Sequence, residues 1–317
     1  MADDHNFVRV FGERNTGTRA LIRMLSAQKG VRLQAVGERG ALNLPQNSDL
    51  KAMIDETYKG KWRKIYRDAV RDNEQALACP TKTWKHALPI WDPAFEEKRA
   101  HVVFCVRNPY SWALSLARRS YHQRGPKTSG ALDLLTRPWL TVARDNMDAI
   151  LRSPMELWNG KVAAYGVFMQ QAKVPTRLIR FEDFVADPEA EVRQVLRDFA
   201  IKFENVESVV STKDTAITLE DIATYYRQES WKKSLSSEVV ATVNRATDWE
   251  VAAQYGYYQL NPTEFPPLDT TWRNWFRSRS LTSRSGFQQR SGRRSILENN
   301  RSPRLSETGG KPSRSEL

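Results

Sequence analysis

Residues 6–25 have the sequence NFVRVFGERNTGTRALIRML, and this stretch decides the fold expected of the chain. Its first seven residues are rich in β-forming side chains and end at Gly12, so they predict a strand. Apolar residues at three positions of 18–28 lie on one helical face and predict a helix. A strand that passes through a short glycine-bounded turn into a helix is typical of a parallel α/β sheet with a ligand-binding loop.

The turn between the strand and the helix has the glycine spacing of a phosphate-binding loop, because four residues separate Gly12 from Gly17. Free amides and the dipole at the start of a helix favour an anion, and glycine lets the backbone approach it closely. The loop also offers side-chain donors, at Arg14, Asn15, Thr16, Thr18 and Arg19. A tight turn that only caps the helix remains the alternative.

The loop lacks the lysine that follows the second glycine of NTP-hydrolysing loops, because Thr18 occupies that position. No acidic strand end supplies an obvious magnesium ligand. The sequence therefore disfavours metal-assisted phosphoryl transfer.

Strands and helices alternate along the rest of the chain. Further strands are predicted at 31–36, 101–107 and 176–183, and helices at 50–78, 109–122, 156–172 and 187–200. The nearly continuous apolar run at 101–107 is typical of a central parallel strand, and Asn108 with Pro109 predicts the start of a helix. We expect an α/β fold with a central, mostly parallel sheet and helices on both faces.

Three regions are expected along the chain: a nucleotide-binding domain at 1–262, a proline- and tryptophan-rich exit at 263–276, and a tail at 277–317. The chain has a net charge of +12, of which the serine- and arginine-rich tail contributes +7 from ten Lys/Arg and three Asp/Glu. We expect the tail to be disordered and solvated, with contact to an anionic membrane, a nucleic acid or a protein as alternatives.

Composition narrows the class of protein further. The two cysteines and four scattered histidines give no disulfide framework and no metal-ligand spacing. The N-terminus is acidic where a signal peptide is basic, and no apolar run reaches the ~20 residues of a membrane span. These features predict a cytoplasmic protein without a transmembrane segment and without a bound metal.

A second candidate anion site follows the strand at 101–107. Arg107 ends this strand, and Ser115 lies about two turns into the next helix. Open α/β sheets bind ligands at the carboxyl ends of their strands, so Arg107 is expected at the same edge as the glycine loop. An arginine can hold a second phosphate through two hydrogen bonds, and the serine adds a hydroxyl donor. Helix capping by Arg107 and simple packing of Ser115 are the alternatives.

The pair GERNTGTRALIRML and CVRNPYSWALS resembles the sulfotransferases that use 3′-phosphoadenosine 5′-phosphosulfate. The resemblance implies a P-loop NTPase-like fold, a first loop that binds the 5′-phosphosulfate, and Arg107 and Ser115 on the 3′-phosphate. Weaker similarity extends to the stretches RFEDFVADPEAEVRQVL (180–196), KHALP (85–89) and YGY (255–257). The family usually has a lysine or arginine where Asn15 stands. Arg14 or Arg19 would then supply the positive charge, or the chain would bind nucleotide without much chemistry.

Sulfuryl transfer needs a base for the acceptor, and His86 is the leading candidate because histidine titrates near neutral pH. It is expected at a strand end on the same sheet edge. Glu38 is the second candidate, by similarity to some carbohydrate sulfotransferases, and His122 the third.

The expected reaction moves a sulfuryl group to a hydroxyl or amine of a glycan or small molecule. A carbohydrate acceptor is favoured because exposed aromatics stack on sugars, although core packing is the commoner use of such residues. The tryptophans concerned are Trp62, Trp84, Trp91, Trp112 and Trp139. A phosphotransferase and a non-catalytic module that binds nucleotide or nucleic acid are the alternative functions.

Overall fold

A computed structural model describes residues 6–33, 45–78, 84–207 and 218–268. The strands in these ranges are β1 (Asn6–Gly12), β2 (Val31–Leu33), β3 (Ala100–Val106), β4 (Trp139–Leu140), β5 (Ile150–Leu151) and β6 (Thr176–Arg180). The helices are α1 (Thr18–Ser26), α2 (Pro45–Thr57), α3 (Gly60–Ala78), α4 (Ala94–Glu97), α5 (Pro109–Arg118), α6 (Ala131–Leu135), α7 (Pro154–Gln171), α8 (Phe181–Ala186), α9 (Pro188–Asp198), α10 (Leu219–Arg227), α11 (Ser237–Ala246) and α12 (Trp249–Ala253). Short 3-10 turns occupy Ala143–Asp145, Ser230–Ser234 and Pro262–Glu264.

The central sheet has four parallel strands in the order β2-β1-β3-β6. β1 pairs with β3 over six positions, from Phe7 opposite Ala100 to Gly12 opposite Cys105. The chain leaves β1 toward β2 on one side, whereas β3 lies on its other side. The strand order therefore reverses between β1 and β3, which is where open α/β sheets place their ligands.

Helices cover both faces of this sheet, as expected. Val8 and Val10 point to one face and pack with α1 and α9, whereas Phe11 and Phe104 point to the other and pack with α5 and α7. The Phe11 and Phe104 rings stack 5.8 Å apart across the two central strands. The predicted fold class is confirmed by this sheet and its two helical layers.

The N-termini of several helices agree with the capping residues expected from sequence. The side chain of Asn108 accepts hydrogen bonds from the amides of Tyr110 and Ser111, with Pro109 in the first helical position. Asp187 caps α9 in the same way, with Pro188 next. Such caps satisfy amides that have no partner within the helix, so they fix where α5 and α9 begin.

Four predicted elements have different bounds in the structure, and one of them is the helix expected over 109–122, which ends at Arg118. The helix expected over 50–78 is two helices, which separate just before Gly60, whose φ of 56° is left-handed. The strand expected over 176–183 ends at Arg180, because Glu182 and Asp183 stand in the first turn of a helix, where negative charge is favourable. β2 ends at Leu33, and 34–36 lie outside the described residues.

The described chain is held against α11 as far as Leu268. The amide of Ser237 donates to the carbonyl of Pro266, and the amide of Leu268 donates to Glu238. The tail at 277–317 and most of the exit segment lie outside the described residues. In the ranges that are described, no helix is long and apolar enough to cross a membrane.

Candidate active site

A cavity of about 480 Å³ opens at the carboxyl ends of β1 and β3. It brings together the predicted residues of both anion sites and the leading candidate base. These residues are Arg14, Asn15, Gly17, Thr18, Arg19, Arg107, Ser115 and His86. Thr16 does not line the cavity, and Glu38 lies outside the described residues.

The loop after β1 has the backbone conformation that its glycines and Asn15 allow. Asn15 and Gly17 are left-handed, with φ of 64° and 80°. A Cβ on Gly12 would approach side-chain atoms of Thr18 and Thr16 to 2.6 and 2.7 Å, so no larger residue fits there. Asparagine tolerates the left-handed region better than lysine does, which gives a local reason for Asn15 in place of a cation.

Two backbone amides at the start of α1 have no hydrogen-bond partner inside the helix. The first backbone bonds of this helix run from Ala20 and Leu21 to the carbonyl of Gly17. The amides of Thr18 and Arg19 precede these bonds and are left for a ligand. Arg19 is exposed and lines the cavity, so its charge adds to the same site.

A buried cluster of four charges lies behind the loop. Arg14 donates to Asp145 at 2.8 and 2.9 Å and to Glu13 at 2.7 Å, and Lys161 pairs with the same two carboxylates. The four side chains are at most 1% exposed. Nη1 and Nη2 of Arg14 are therefore engaged by carboxylates, whereas its Nε has no hydrogen-bond partner among the described residues and Arg14 lines the cavity, so its predicted role toward a phosphate stays a prediction.

The protonation states in this cluster follow from its pairing. Burial by itself would lower the pKa of Arg14, but the carboxylates of Asp145 and Glu13 raise it well above its ordinary value. Burial would likewise raise the pKa of Asp145, and Arg14 and Lys161 lower it instead. Arg14 and Asp145 thus stay ionised together.

Two further hydrogen bonds hold the loop in place. The hydroxyl of Thr16 donates to the carbonyl of Glu13 at 2.6 Å, and the indole of Trp112 donates to the carbonyl of Arg14 at 2.9 Å. Thr16, predicted as a ligand donor, thus stabilises the loop through a hydrogen bond within it.

Arg107 is a buried cation whose hydrogen bonds go to neutral oxygens. Its Nε donates to Ser111 Oγ at 3.0 Å, its Nη1 to the carbonyl of Asn15 at 2.6 Å, and its Nη2 to the hydroxyl of Tyr226 at 2.5 Å. The guanidinium stacks on the ring of Phe181 at 4.3 Å. Burial lowers the pKa of Arg107, so a nearby anion would be strongly favourable there.

His86 lies beside the end of β1 and lines the cavity. Its segment is a turn rather than the expected strand end, since the amide of Ala87 donates to the carbonyl of Trp84 at 2.8 Å, and the carbonyl of Lys85 accepts a hydrogen bond from the amide of Gly12 at 2.8 Å. The Nδ1–H of His86 donates to the carbonyl of Gly12 at 2.5 Å, which leaves Nε2 as an acceptor. Burial, aided by the charges of Lys85 and Arg14, holds the pKa of His86 well below its ordinary value. The imidazole is therefore neutral at physiological pH and can accept a proton.

His122, the third candidate base, lies on the same wall but in an ion-pair network. Its Nδ1 is 2.9 Å from Nη2 of Arg144, which also pairs with Asp68 at 3.0 Å. The rings of His86 and His122 both pack edge-on against Trp84. Burial lowers the pKa of His122, although Asp68 opposes that shift.

The cavity is positively charged and has one apolar wall. Among the described residues that line it, none is Asp or Glu, and the cations are Arg14, Arg19, Lys85, Arg107, Arg118 and Arg119. The apolar wall is formed by Phe181, Phe184, Val185, Leu219 and Ile222. No group of three or more His, Cys, Asp or Glu that could hold a metal ion occurs in the described ranges. Such a cavity suits an anion attached to a flat apolar group.

Among solved structures, the sulfotransferase domain from the curacin biosynthetic pathway is similar to this chain, with 13% sequence identity and a TM-score of 0.36. The similarity covers 81% of this chain and 99% of that domain. No protein-family model and no curated protein matches the chain. A similarity this distant transfers no function, so the functional argument rests on the residues of the cavity.

Proposed function

We propose that the chain is a sulfotransferase that moves a sulfuryl group from 3′-phosphoadenosine 5′-phosphosulfate to a hydroxyl or amine, with a carbohydrate as the favoured acceptor. One observation supports this most strongly: a single cavity holds a helix N-terminus, a separate buried arginine and a neutral histidine, with no carboxylate among its described lining residues. A donor with two separated phosphate groups and a purine matches that arrangement.

The two anion sites have distinct roles in the proposal. The 5′-phosphosulfate would accept hydrogen bonds from the amides of Thr18 and Arg19 and from the side chain of Arg19. The 3′-phosphate would accept hydrogen bonds from Arg107 and Ser115, and the adenine would lie on the apolar wall. Arg14 fixes the loop through its buried ion pairs, and its Nε, which has no partner among the described residues, would be left to donate to the phosphosulfate.

Transfer is an in-line displacement at sulfur. The neutral Nε2 of His86 takes the proton of the acceptor hydroxyl as its oxygen forms a bond to sulfur. The bond from sulfur to the bridging oxygen breaks, and its electron pair remains on the departing 3′,5′-adenosine bisphosphate. Positive charge near the loop stabilises that leaving group. Arg19, at the start of α1, and Lys85, whose backbone carbonyl is hydrogen-bonded to Gly12, are cavity cations beside the loop.

The alternatives have weaker support. A phosphotransferase would use magnesium held by carboxylates, and the described lining residues of the cavity include none. A non-catalytic module would not need a neutral histidine beside the loop, although Asn15 in place of a cation is compatible with one.

The test has two steps. Thermal shift should show stabilisation by 3′,5′-adenosine bisphosphate and none by ATP with magnesium; the reverse result would favour a phosphotransferase. Labelled sulfate should then move from the donor to at least one member of a panel of glycans, phenols and peptides. Tight binding of the bisphosphate without any transfer would support the non-catalytic module instead.

A further inference from the structure

The helices α2 and α3 form a hairpin with an unusual exposed surface. Tyr58 stacks on Tyr66 with ring centroids 4.2 Å apart, and Arg67 pairs with Asp55, so the two helices lie side by side. Residues 59–64, with the sequence KGKWRK, form the connection and the start of α3. We refer to these six residues as the hairpin tip.

The hairpin tip concentrates positive charge. Lys59, Lys61, Arg63 and Lys64 are all exposed, and no acidic residue occurs within 59–64. Two acidic residues farther along α3, Asp68 and Asp72, are paired with arginines. Asp68 pairs with Arg144 at 3.0 Å, and Asp72 pairs with Arg124 at 3.1 Å as well as with Arg144.

The same hairpin exposes large apolar side chains. The exposed fractions are 63% for Trp62, 56% for Met53, 41% for Tyr66 and 38% for Leu50. Exposed tryptophan, leucine and methionine beside lysine and arginine are the features of helices that lie in a membrane interface. Tryptophan and tyrosine prefer the headgroup level of a bilayer.

From these two features we propose that the hairpin docks on the surface of an anionic phospholipid bilayer. The four cations of the tip contact acidic headgroups, and Trp62 and Met53 reach the boundary with the acyl chains. A nucleic acid or an acidic polysaccharide would use the cations and stack on Trp62, but it would gain little from Met53 and Leu50. The aliphatic side chains therefore favour lipid.

The hairpin tip lies next to one wall of the cavity. Lys64 Nζ donates to the carbonyl of Gln123 at 3.1 Å, and the preceding residues Tyr121 and His122 line the cavity. Docking through the tip would bring that wall close to the bilayer. The proposal does not depend on sulfuryl transfer, because it concerns a surface outside the cavity.

Co-sedimentation of the full chain with vesicles tests the proposal. The chain should bind vesicles of equal parts phosphatidylcholine and phosphatidylserine, and bind pure phosphatidylcholine weakly. Lys61→Gln/Arg63→Gln should weaken binding about thirty-fold, since each surface cation contributes roughly fivefold. Met53→Ser/Trp62→Ser should weaken it about tenfold, through lost apolar burial, whereas Trp62→Phe should retain binding.

Matched controls separate the tip from general effects of charge and exposure. Lys98→Gln/Lys202→Gln removes two exposed cations at the amino ends of the strands, and Ile150→Ser removes an apolar side chain that is 64% exposed. Both controls should bind vesicles as the wild type does, and every variant should keep the wild-type melting temperature.

Two results would overturn the proposal. If neither pair of hairpin substitutions alters vesicle binding, any affinity for lipid belongs elsewhere, for example to the basic tail at 277–317. If only Lys61→Gln/Arg63→Gln weakens vesicle binding, and this variant weakens binding to immobilised heparin equally, the tip is a general polyanion site and not a membrane surface.

Discussion

Replacement of Arg107 by methionine should weaken the binding of 3′,5′-adenosine bisphosphate about 150-fold. A guanidinium has five N–H groups, and three of them are engaged by Ser111, Asn15 and Tyr226. Two N–H groups therefore remain for a phosphate. At about 1.5 kcal/mol each, the low end for hydrogen bonds to charged groups, their loss costs about 3 kcal/mol.

Isothermal titration calorimetry with two nucleotides makes this prediction specific. Arg107→Met should lose affinity for the bisphosphate but bind 5′-AMP as the wild type does, because 5′-AMP lacks the 3′-phosphate. Arg180→Met is the matched control, since Arg180 also lies over an aromatic ring, Tyr257 at 5.0 Å, and does not line the cavity. Equal losses for both nucleotides, or no loss for either, would refute the assignment of Arg107 to the 3′-phosphate.

Four further outcomes are expected. His86→Ala should abolish single-turnover sulfate transfer and leave the calorimetric affinity for the bisphosphate unchanged. In the wild type, transfer should persist at pH 6, because the pKa of His86 lies well below its ordinary value. Lys85→Met should raise that pKa, since Lys85 lowers it, and so move the acid limb of the rate profile to higher pH; an unshifted limb would contradict this. Lys161→Met should destabilise the fold by about 3–5 kcal/mol in urea titrations, because two buried carboxylates lose a partner. A loss of stability below about 1 kcal/mol would mean that the cluster tolerates the missing charge. Asn15→Lys should cost about 1 kcal/mol in the same titrations, because lysine is unfavourable at a φ of 64°, and Asn15→Gly should be neutral by comparison.

The sequence predicted those parts of the fold that depend on neighbouring residues. Gly12 and Gly17 lie on one loop, and Arg107 directly follows a buried strand, so periodicity and spacing were sufficient to place them at one sheet edge. Caps such as Asn108 are equally local. The parallel sheet followed from the alternation of elements along the chain.

The sequence could not predict the contacts made by residues far apart in the chain. Arg14 has the position of a ligand donor, but it meets Asp145, 131 residues away. Lys161 reaches Glu13 across 148 residues, and Lys161 belongs to no recognisable motif. The turn that contains His86 is placed at the end of β1 by the hydrogen bond between Gly12 and Lys85, a tertiary contact that no local pattern predicts. The role of Glu38 stays a prediction.

The buried pair of Arg14 and Asp145 makes the charge behind the loop insensitive to pH. Arg14 and Asp145 keep their charges throughout the physiological pH range, because each shifts the pKa of the other away from neutrality. The loop that they hold therefore has the same shape and the same field on either side of neutral pH. A change of donor affinity with pH would then come from the donor's own phosphates or from titratable groups elsewhere in the cavity, such as His86 and His122, and not from Arg14 or Asp145.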